Sequence, residues 1–353
     1  MTYRDNFQFR PRTLCSLSVG GGSRSSSSAC SGAVTTGGLH MDAGDYHVPV
    51  LEAEITEMFT SQSTGVVIDA TLGGGGHAAA LLSAAPQLRV LGIDRDPAAR
   101  AEAELKLARF GNRHRIASAS FADLSSVVAQ HADFIDGDQI VGVLFDLGVS
   151  SRQLDDATRG FSFRADAPLD MRMDPSTGIT AAEFLQHVDL HELTRLLREN
   201  GETRFAGAIA KSLKDSSPVT TGELAAAVER AVPMAARRRG HVATRVFQAL
   251  RVAVNAEAEQ LAEALPAALD VLAEDGLLVV ISYHSGEDRA VKQFLASEAR
   301  GGCTCPPHLP CVCGAVPRVT LRKTSAQMAT EAEIASNPRS RSARLRVARK
   351  VML

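Results

Sequence analysis

Gly65-Val66-Val67-Ile68-Asp69-Ala70-Thr71-Leu72-Gly73-Gly74-Gly75-Gly76-His77 is a short apolar run that ends in an acid and breaks into four glycines. A run of this kind reads as a strand buried on both faces, the sort found in parallel sheets covered by helices. Glycines at a strand-to-helix turn let the backbone approach a ligand and expose the amides of the following helix, which His77 to Ser83 opens. Working outward, Arg89-Val90-Leu91-Gly92-Ile93-Asp94 reads as a second strand. Ala98 to Phe110 is helical, Arg115-Ile116-Ala117 is a third strand and Gly142 to Gly148 a fourth. Strands alternating with helices predict an α/β fold with a mostly parallel sheet.

The alternation breaks after the fourth strand. Residues 152–254 read as mainly helical, with apolar residues at helical spacing in Leu190 to Glu199 and Glu223 to Ala231. Glu257 to Ala273 is a long helix, and Gly276 to Tyr283 returns to a core strand. The expected organisation is therefore a tail over 1–45, a sheet domain in two parts over 46–151 and 255–353, and an all-helical insertion over 152–254. The tail contains Gly20 to Ser28, too polar to offset its ordering entropy, and reads as disordered. It is Arg- and Ser-rich like a transit peptide. The simpler reading is that translation begins at Met41, because a coherent pattern starts just after it.

Composition narrows the function classes. Of 353 residues, 45% are hydrophobic but only 5% aromatic, with no Trp, so the core is aliphatic. The net charge of −2 does not by itself announce a nucleic-acid partner. No apolar run reaches the roughly 20 residues of a membrane span. Two Cys lie in the tail and four between Cys303 and Cys313, which is no disulfide scaffold for this length and fits a reducing, cytoplasmic setting.

The glycine turn and its acids point to a nucleoside cofactor. Asp94 ends the second strand, where a carboxylate accepts hydrogen bonds from both hydroxyls of a ribose. The register is not that of a dinucleotide fingerprint, and an anionic Asp69 beside the turn would repel a pyrophosphate. It suits the sulfonium and amino groups of S-adenosylmethionine. Asp146 ends the fourth strand, at the sheet edge where open α/β folds carry their chemistry. As a hydrogen-bond acceptor it can localise the lone pair of an exocyclic cytosine amine during methyl transfer. Capping the loop or holding the cofactor's amine are equally open roles for it.

Several strings now add up to a resemblance. They are His47 to Leu51, the Asp69 to His77 turn, and Asp146-Leu147-Gly148-Val149-Ser150-Ser151-Arg152-Gln153-Leu154-Asp155-Asp156. Arg159 to Phe163, Pro168 to Asp174, Ala243 to Arg251 and Ser282-Tyr283-His284-Ser285 follow in order. Over about His47 to Arg349 the chain resembles the bacterial 16S ribosomal RNA (cytosine-N4)-methyltransferases, the RsmH or MraW family. The resemblance implies a Rossmann-like methyltransferase sheet with a helical substrate domain. It implies S-adenosylmethionine contacts from Gly75, Gly76, His77, Asp94, Phe121, Asp146 and Gln153. It further implies methylation of cytidine 1402 (RNA numbering) in 16S ribosomal RNA, within the small ribosomal subunit or its precursor. Two departures stand out: Gly286 where the family has Leu, expected to loosen that turn, and Val242 where it tends to have Pro.

Basic clusters supply expected phosphate contacts. They are Arg237-Arg238-Arg239-Gly240-His241 and a C-terminal run with Arg339, Arg341, Arg344, Arg346, Arg349 and Lys350. A flipped cytosine is expected near Phe161, Phe163 and Arg172, with Asp170 and Asp174 orienting the arginine. Cys303, Cys305, Cys311 and Cys313, with His308 between, have the donors for tetrahedral zinc, though as C-x-C pairs. Zinc and surface thiols both stay open, and no metal enters the expected site. Two competing functions remain. An NAD-dependent oxidoreductase would lean on His284 and is opposed by Asp69. A binding protein with a dead cofactor site is opposed by the intact Gly75, Gly76, Asp94 and Asp146.

Overall fold

The computed structural model describes residues 48–62, 64–234, 242–306 and 312–351. The expectations for the tail, for Arg237 to His241, and for His308 and Cys311 lie outside the described residues.

Helix α1 (Glu52–Thr60) leads into β1 (Gly65–Asp69), α2 (Gly76–Ala84), β2 (Leu88–Asp94) and α3 (Pro97–Leu107). β3 (His114–Ser118), α4 (Leu124–Gln130), α5 (Ala132–Ile135) and β4 (Ile140–Asp146) complete the first run. Five strands including β5 (Leu277–Ser282) are parallel in the order β3-β2-β1-β4-β5. The chain steps outward from β1 to β3 and then crosses back to β4. A crevice therefore opens beyond the carboxyl ends of β1 and β4, where such sheets bind ligands.

Period-two alternation sends successive side chains to opposite faces, and both faces are covered. Val66, Ile68, Val143, Phe145, Leu278 and Val280 join one buried cluster. Val67, Leu144, Val279 and Ile281 join the other, beneath Ile55, Phe59, Leu81 and Leu82. The runs are uniformly apolar because neither face meets water. Gly142 is small for packing: a Cβ there would collide with the Phe59 ring.

After β4 the chain leaves the sheet for α6 (Ser151–Asp155), α7 (Ala181–His187), α8 (Leu190–Glu199), α9 (Ala206–Ser216), α10 (Thr221–Ala231) and α11 (Val242–Val254). Side chains such as Leu185, Leu193, Leu197, Ile209, Leu224, Val246 and Leu250 build a third cluster of their own. Side-chain caps at Thr180, Asp189 and Thr220 satisfy backbone donors at the starts of α7, α8 and α10. α12 (Glu257–Val271) brings the chain back to β5, and α13 (Ser285–Glu298) follows it.

Three strands close the far edge: β6 (Val319–Leu321), β7 (Gln327–Met328) and β8 (Arg344–Lys350), with α14 (Glu331–Ser336) between the last two. β8 lies antiparallel on β5, and β6 and β7 on β8. Several arginines of the C-terminal run, expected to meet phosphates, also have acidic partners within the chain. Arg344 and Arg346 both pair with Asp288 (2.9 and 2.8 Å), and Arg339 pairs with Asp155 at 3.1 Å. Strand alternation places Arg346 between core residues Leu345 and Val347, on the face where Asp288 of α13 lies within reach. Among the described residues no helix is long and apolar enough to cross a membrane.

Candidate active site

Three acids stand at the carboxyl ends of β1, β2 and β4, because each strand's apolar run ends in Asp. Asp69 is 1% exposed, and its Oδ2 finds no protein partner while Oδ1 accepts only a 3.3 Å bond from the Thr71 amide. Burial pushes its pKa up to about 7, against the pull of His77. Asp94 accepts from the Gly73 amide through Oδ2 and from the Asp96 amide through Oδ1, both at 2.8 Å. Burial still raises its pKa despite these donors. Each of its oxygens keeps a second lone pair for a ligand hydroxyl.

Gly75 holds φ 76° as the residue before α2, a backbone that side chains disfavour. A Cβ there would press on Ala103, and one on Gly76 would meet the Pro49 ring at 2.7 Å. The turn thus stays low, and His77 enters the first helical turn, 7% exposed. Its Nε2 lies 3.6 Å from Asp146 Oδ2, too far for a hydrogen bond. Burial opposes a charged ring, but Asp146 and Asp69 hold the His77 pKa above its usual value.

Asp146 is fixed from two sides. Its amide donates to Thr71 Oγ1 (2.6 Å), and Tyr283 Oη donates to its Oδ1 (2.7 Å). Burial and the Asp146 charge push the Tyr283 phenol far up, so it stays a donor. Asp146 Oδ2 faces His77 and keeps acceptor capacity. Thr71 and Tyr283 stood in the quoted strings without roles; only the convergence of β1, β4 and β5 assigns them.

The other expected residues divide. Phe121 begins a short 3-10 turn after β3 and packs edge-on against Phe145, 5.9 Å between ring centres. Gln153 lies beside the acids, and both ends of its side-chain amide have protein partners. Its Nε2 donates to Asp96 Oδ2 (2.9 Å), and its Oε1 accepts from the Ser150 amide. Asp96 also receives Arg159 at 3.0 Å, while caps on Ala98 anchor it to α3. Phe161 is buried in the helical core, and Phe163 leans on Phe247 with ring centres 5.0 Å apart. Only Phe163 keeps an exposed face for a base. Asp170 does orient Arg172 through two 2.8 Å bonds, whereas Asp174 turns to Ser176 instead.

Below the crevice runs a buried ionic chain that the sequence did not announce. Arg251 pairs with Glu257 (2.8 Å) and lies 3.5 Å from Glu287. His284 Nε2 is 2.9 Å from Glu287 Oε1, while its Nδ1 accepts from the Gly286 amide and caps α13. Burial works against the charge on Glu287, yet His284 and Arg251 hold its pKa below the usual range. The turn at Gly286 is thereby closed, contrary to the expectation that it loosens. Arg251 sits on α11 and its partners on α12 and α13, so the chain ties the helical layer to the sheet.

The geometry gathers three strand-end acids about the glycine turn, with Asp146 fixed from two sides. Comparison with known sequences gives it a relation. The MraW methylase family matches residues 45–351. A protein of Heliobacterium modesticaldum called ribosomal RNA small subunit methyltransferase H is 47% identical over 313 residues, 87% of this chain and 99% of that one. Its namesake in Beutenbergia cavernae is 48% identical over 318 residues, 88% of this chain and 94% of that one. Solved structures resemble it loosely. An rRNA methylase from Streptococcus thermophilus aligns at TM-score 0.38 and 11% identity, over 85% of this chain and 97% of that one, too loose to weigh.

Proposed function

The chain belongs to the MraW methylase family, and from that premise we propose that it transfers a methyl group from S-adenosylmethionine to the N4 amine of a cytidine in 16S ribosomal RNA. The carrying observation is the ring of Asp69, Asp94 and Asp146 about the glycine turn, with one buried carboxylate oxygen lacking any protein partner. The relatives named ribosomal RNA small subunit methyltransferase H support the substrate class. The precursor or mature small subunit, in the cytoplasm, is the proposed setting. The nicotinamide reading falls, since the family is one of methylases and buried acids flank the turn a pyrophosphate would need.

The residues fit the cofactor's chemistry. The orphaned Oδ2 of Asp69 suits a cationic amine, and Asp94 keeps acceptor capacity for ribose hydroxyls. Gly75 and Gly76 leave room for the backbone to approach, and Phe121 offers an aromatic edge. Gln153 acts through Asp96 by holding the turn that follows Asp94. S-adenosylmethionine supplies an electrophilic methyl group when bound.

A cytosine amine is a weak nucleophile because its lone pair is delocalised into the ring. Asp146 Oδ2 accepts an N4 hydrogen and localises that pair. The N–CH3 bond forms as the S–CH3 bond breaks, and the surplus N4 proton passes by way of Asp146 to solvent. Tyr283 keeps Asp146 Oδ1 occupied, so that Oδ2 is the oxygen presented. The helical layer over 152–254 is the proposed RNA-holding part, with Phe163 and Arg172 at its exposed edge.

The test is methyl transfer from labelled S-adenosylmethionine to small-subunit RNA and to immature subunits, followed by mass mapping of the modified nucleoside. N4-methylcytidine at one position is the expected product. Label on carbon 5 of a pyrimidine, or no incorporation with either substrate, would overturn the reading.

A further inference from the structure

The long connection between α13 and β6 does not belong to the cofactor cleft. It spans residues 299 to 318, and its described residues, 299–306 and 312–318, form no helix or strand. Its base is well fastened. The Arg318 amide donates to Glu298 O, and the Gly302 amide to Ser297 O, both at 2.9 Å. Arg318 also pairs with Glu298 at 3.3 Å. Beyond that base the apolar effect has nothing to work with. No described residue from 301 to 318 is buried, and Val312 is 89% exposed. A segment with so little apolar cover needs another source of order.

Three sulfurs converge there. The Sγ atoms of Cys303, Cys305 and Cys313 all lie within 4.8 Å of one another. Those of Cys303 and Cys313 are 3.5 Å apart, well beyond the ~2.05 Å of a disulfide bond. Thiolates held about 2.3 Å from a tetrahedral ion stand roughly 3.8 Å apart, so the observed spacing is that of ligands sharing one centre. Gly314, at φ 67°, turns the chain directly after Cys313. Cys303 and Cys305, two residues apart, bring their sulfurs to the same point as Cys313.

We propose that Cys303, Cys305 and Cys313 bind a soft divalent cation, zinc, which staples this connection. The three thiol protons pass to solvent as three thiolate–metal bonds form, and no oxidant is required. The staple replaces the core the segment lacks. It holds the connection against the base that β6 and α13 provide. This site is independent of the methyl-transfer reading, because its readout is metal content.

The full-length protein, purified under reductant without chelator, is assayed for metal by inductively coupled plasma mass spectrometry. About one zinc per chain is expected. Cobalt exchanged into the protein should show thiolate-to-metal charge transfer and the intense visible bands of tetrahedral cobalt. In Cys305→Ser and in Cys303→Ser/Cys313→Ser both signals should fall at least several-fold, and trypsin should cut between 299 and 318 faster than in the parent. Calorimetry with S-adenosylmethionine on each variant serves as the folding control. Zinc well below half an equivalent in the parent, metal unchanged in the double variant, or a mass-mapped disulfide among these cysteines in the reduced protein would each overturn the proposal.

Discussion

Two buried polar regions lie within reach of each other and obey opposite rules. In the cleft, Asp69 is buried with one oxygen unmatched, and His77 stands off from its nearest carboxylate. In the joint between sheet and helical layer, Arg251, Glu257, Glu287 and His284 are packed charge against charge, and Asp96 takes both Gln153 and Arg159. Burying a charge without a partner costs stability, and burying a matched pair largely offsets that cost. The contrast teaches that the first region is arranged for something from outside, and the second for holding the molecule together.

The largest expected effect breaks the first half of that contrast. Asp146→Asn should lower kcat by about 10²–10⁴, the range for a lost acid–base group, with little change in melting temperature. Unchanged single-turnover rates in saturating cofactor would remove Asp146 from the reaction. Arg251→Met probes the second half. It leaves Glu257 and Glu287 buried against each other, and a loss of about 3–5 kcal/mol in urea unfolding is expected. A variant as stable as the parent would show that the joint does not depend on this pairing.

Asp69 sharpens the comparison through pH. Its folded pKa near 7 lies above the ordinary 3.8. Between those values the folded chain holds more proton than the unfolded one. Stability of the ligand-free protein should therefore fall as pH rises from about 4 to about 7, by an amount on the order of a few kcal/mol. Affinity for S-adenosylmethionine should rise over the same window as the carboxylate ionises. Asp69→Asn should flatten both trends, as followed by chemical unfolding and calorimetry across pH. A slope that survives in the variant would assign the titration to another group.

The smallest effect separates aim from chemistry. Tyr283→Phe removes one donor from Asp146 Oδ1, and a drop of about 5- to 10-fold in kcat is expected, as for a single hydrogen bond worth about 1 kcal/mol. KM for cofactor should hold. A rise in KM larger than the fall in kcat would place Tyr283 in binding rather than positioning.

Much of the fold was legible. The apolar runs at Val66 to Ile68, Leu91 to Ile93, Val143 to Phe145 and Leu278 to Ile281 announce a two-sided sheet, because only double burial excuses such composition. Leu190 to Glu199 matches its helix to the residue. The glycine turn and the acids at strand ends were legible for the same reason: local conformation and local sequence coincide there. The Gln153–Asp96 hydrogen bond was not legible because its partners stand 57 residues apart. The pairing of Arg344 and Arg346 with Asp288 was not legible because Asp288 is not their neighbour along the chain.

What the sequence by itself determined is the alternation of strands and helices, the turn, and the identity of the acids around it. Each follows from short-range sterics, periodicity and the type of residue at a strand end. What only the tertiary structure decided is which charges meet: Tyr283 with Asp146, Arg251 with Glu287, three cysteines with one another. Such pairings depend on separations set by the crossing of distant segments, and the Coulomb and hydrogen-bond energies that govern them fall off within a few ångströms.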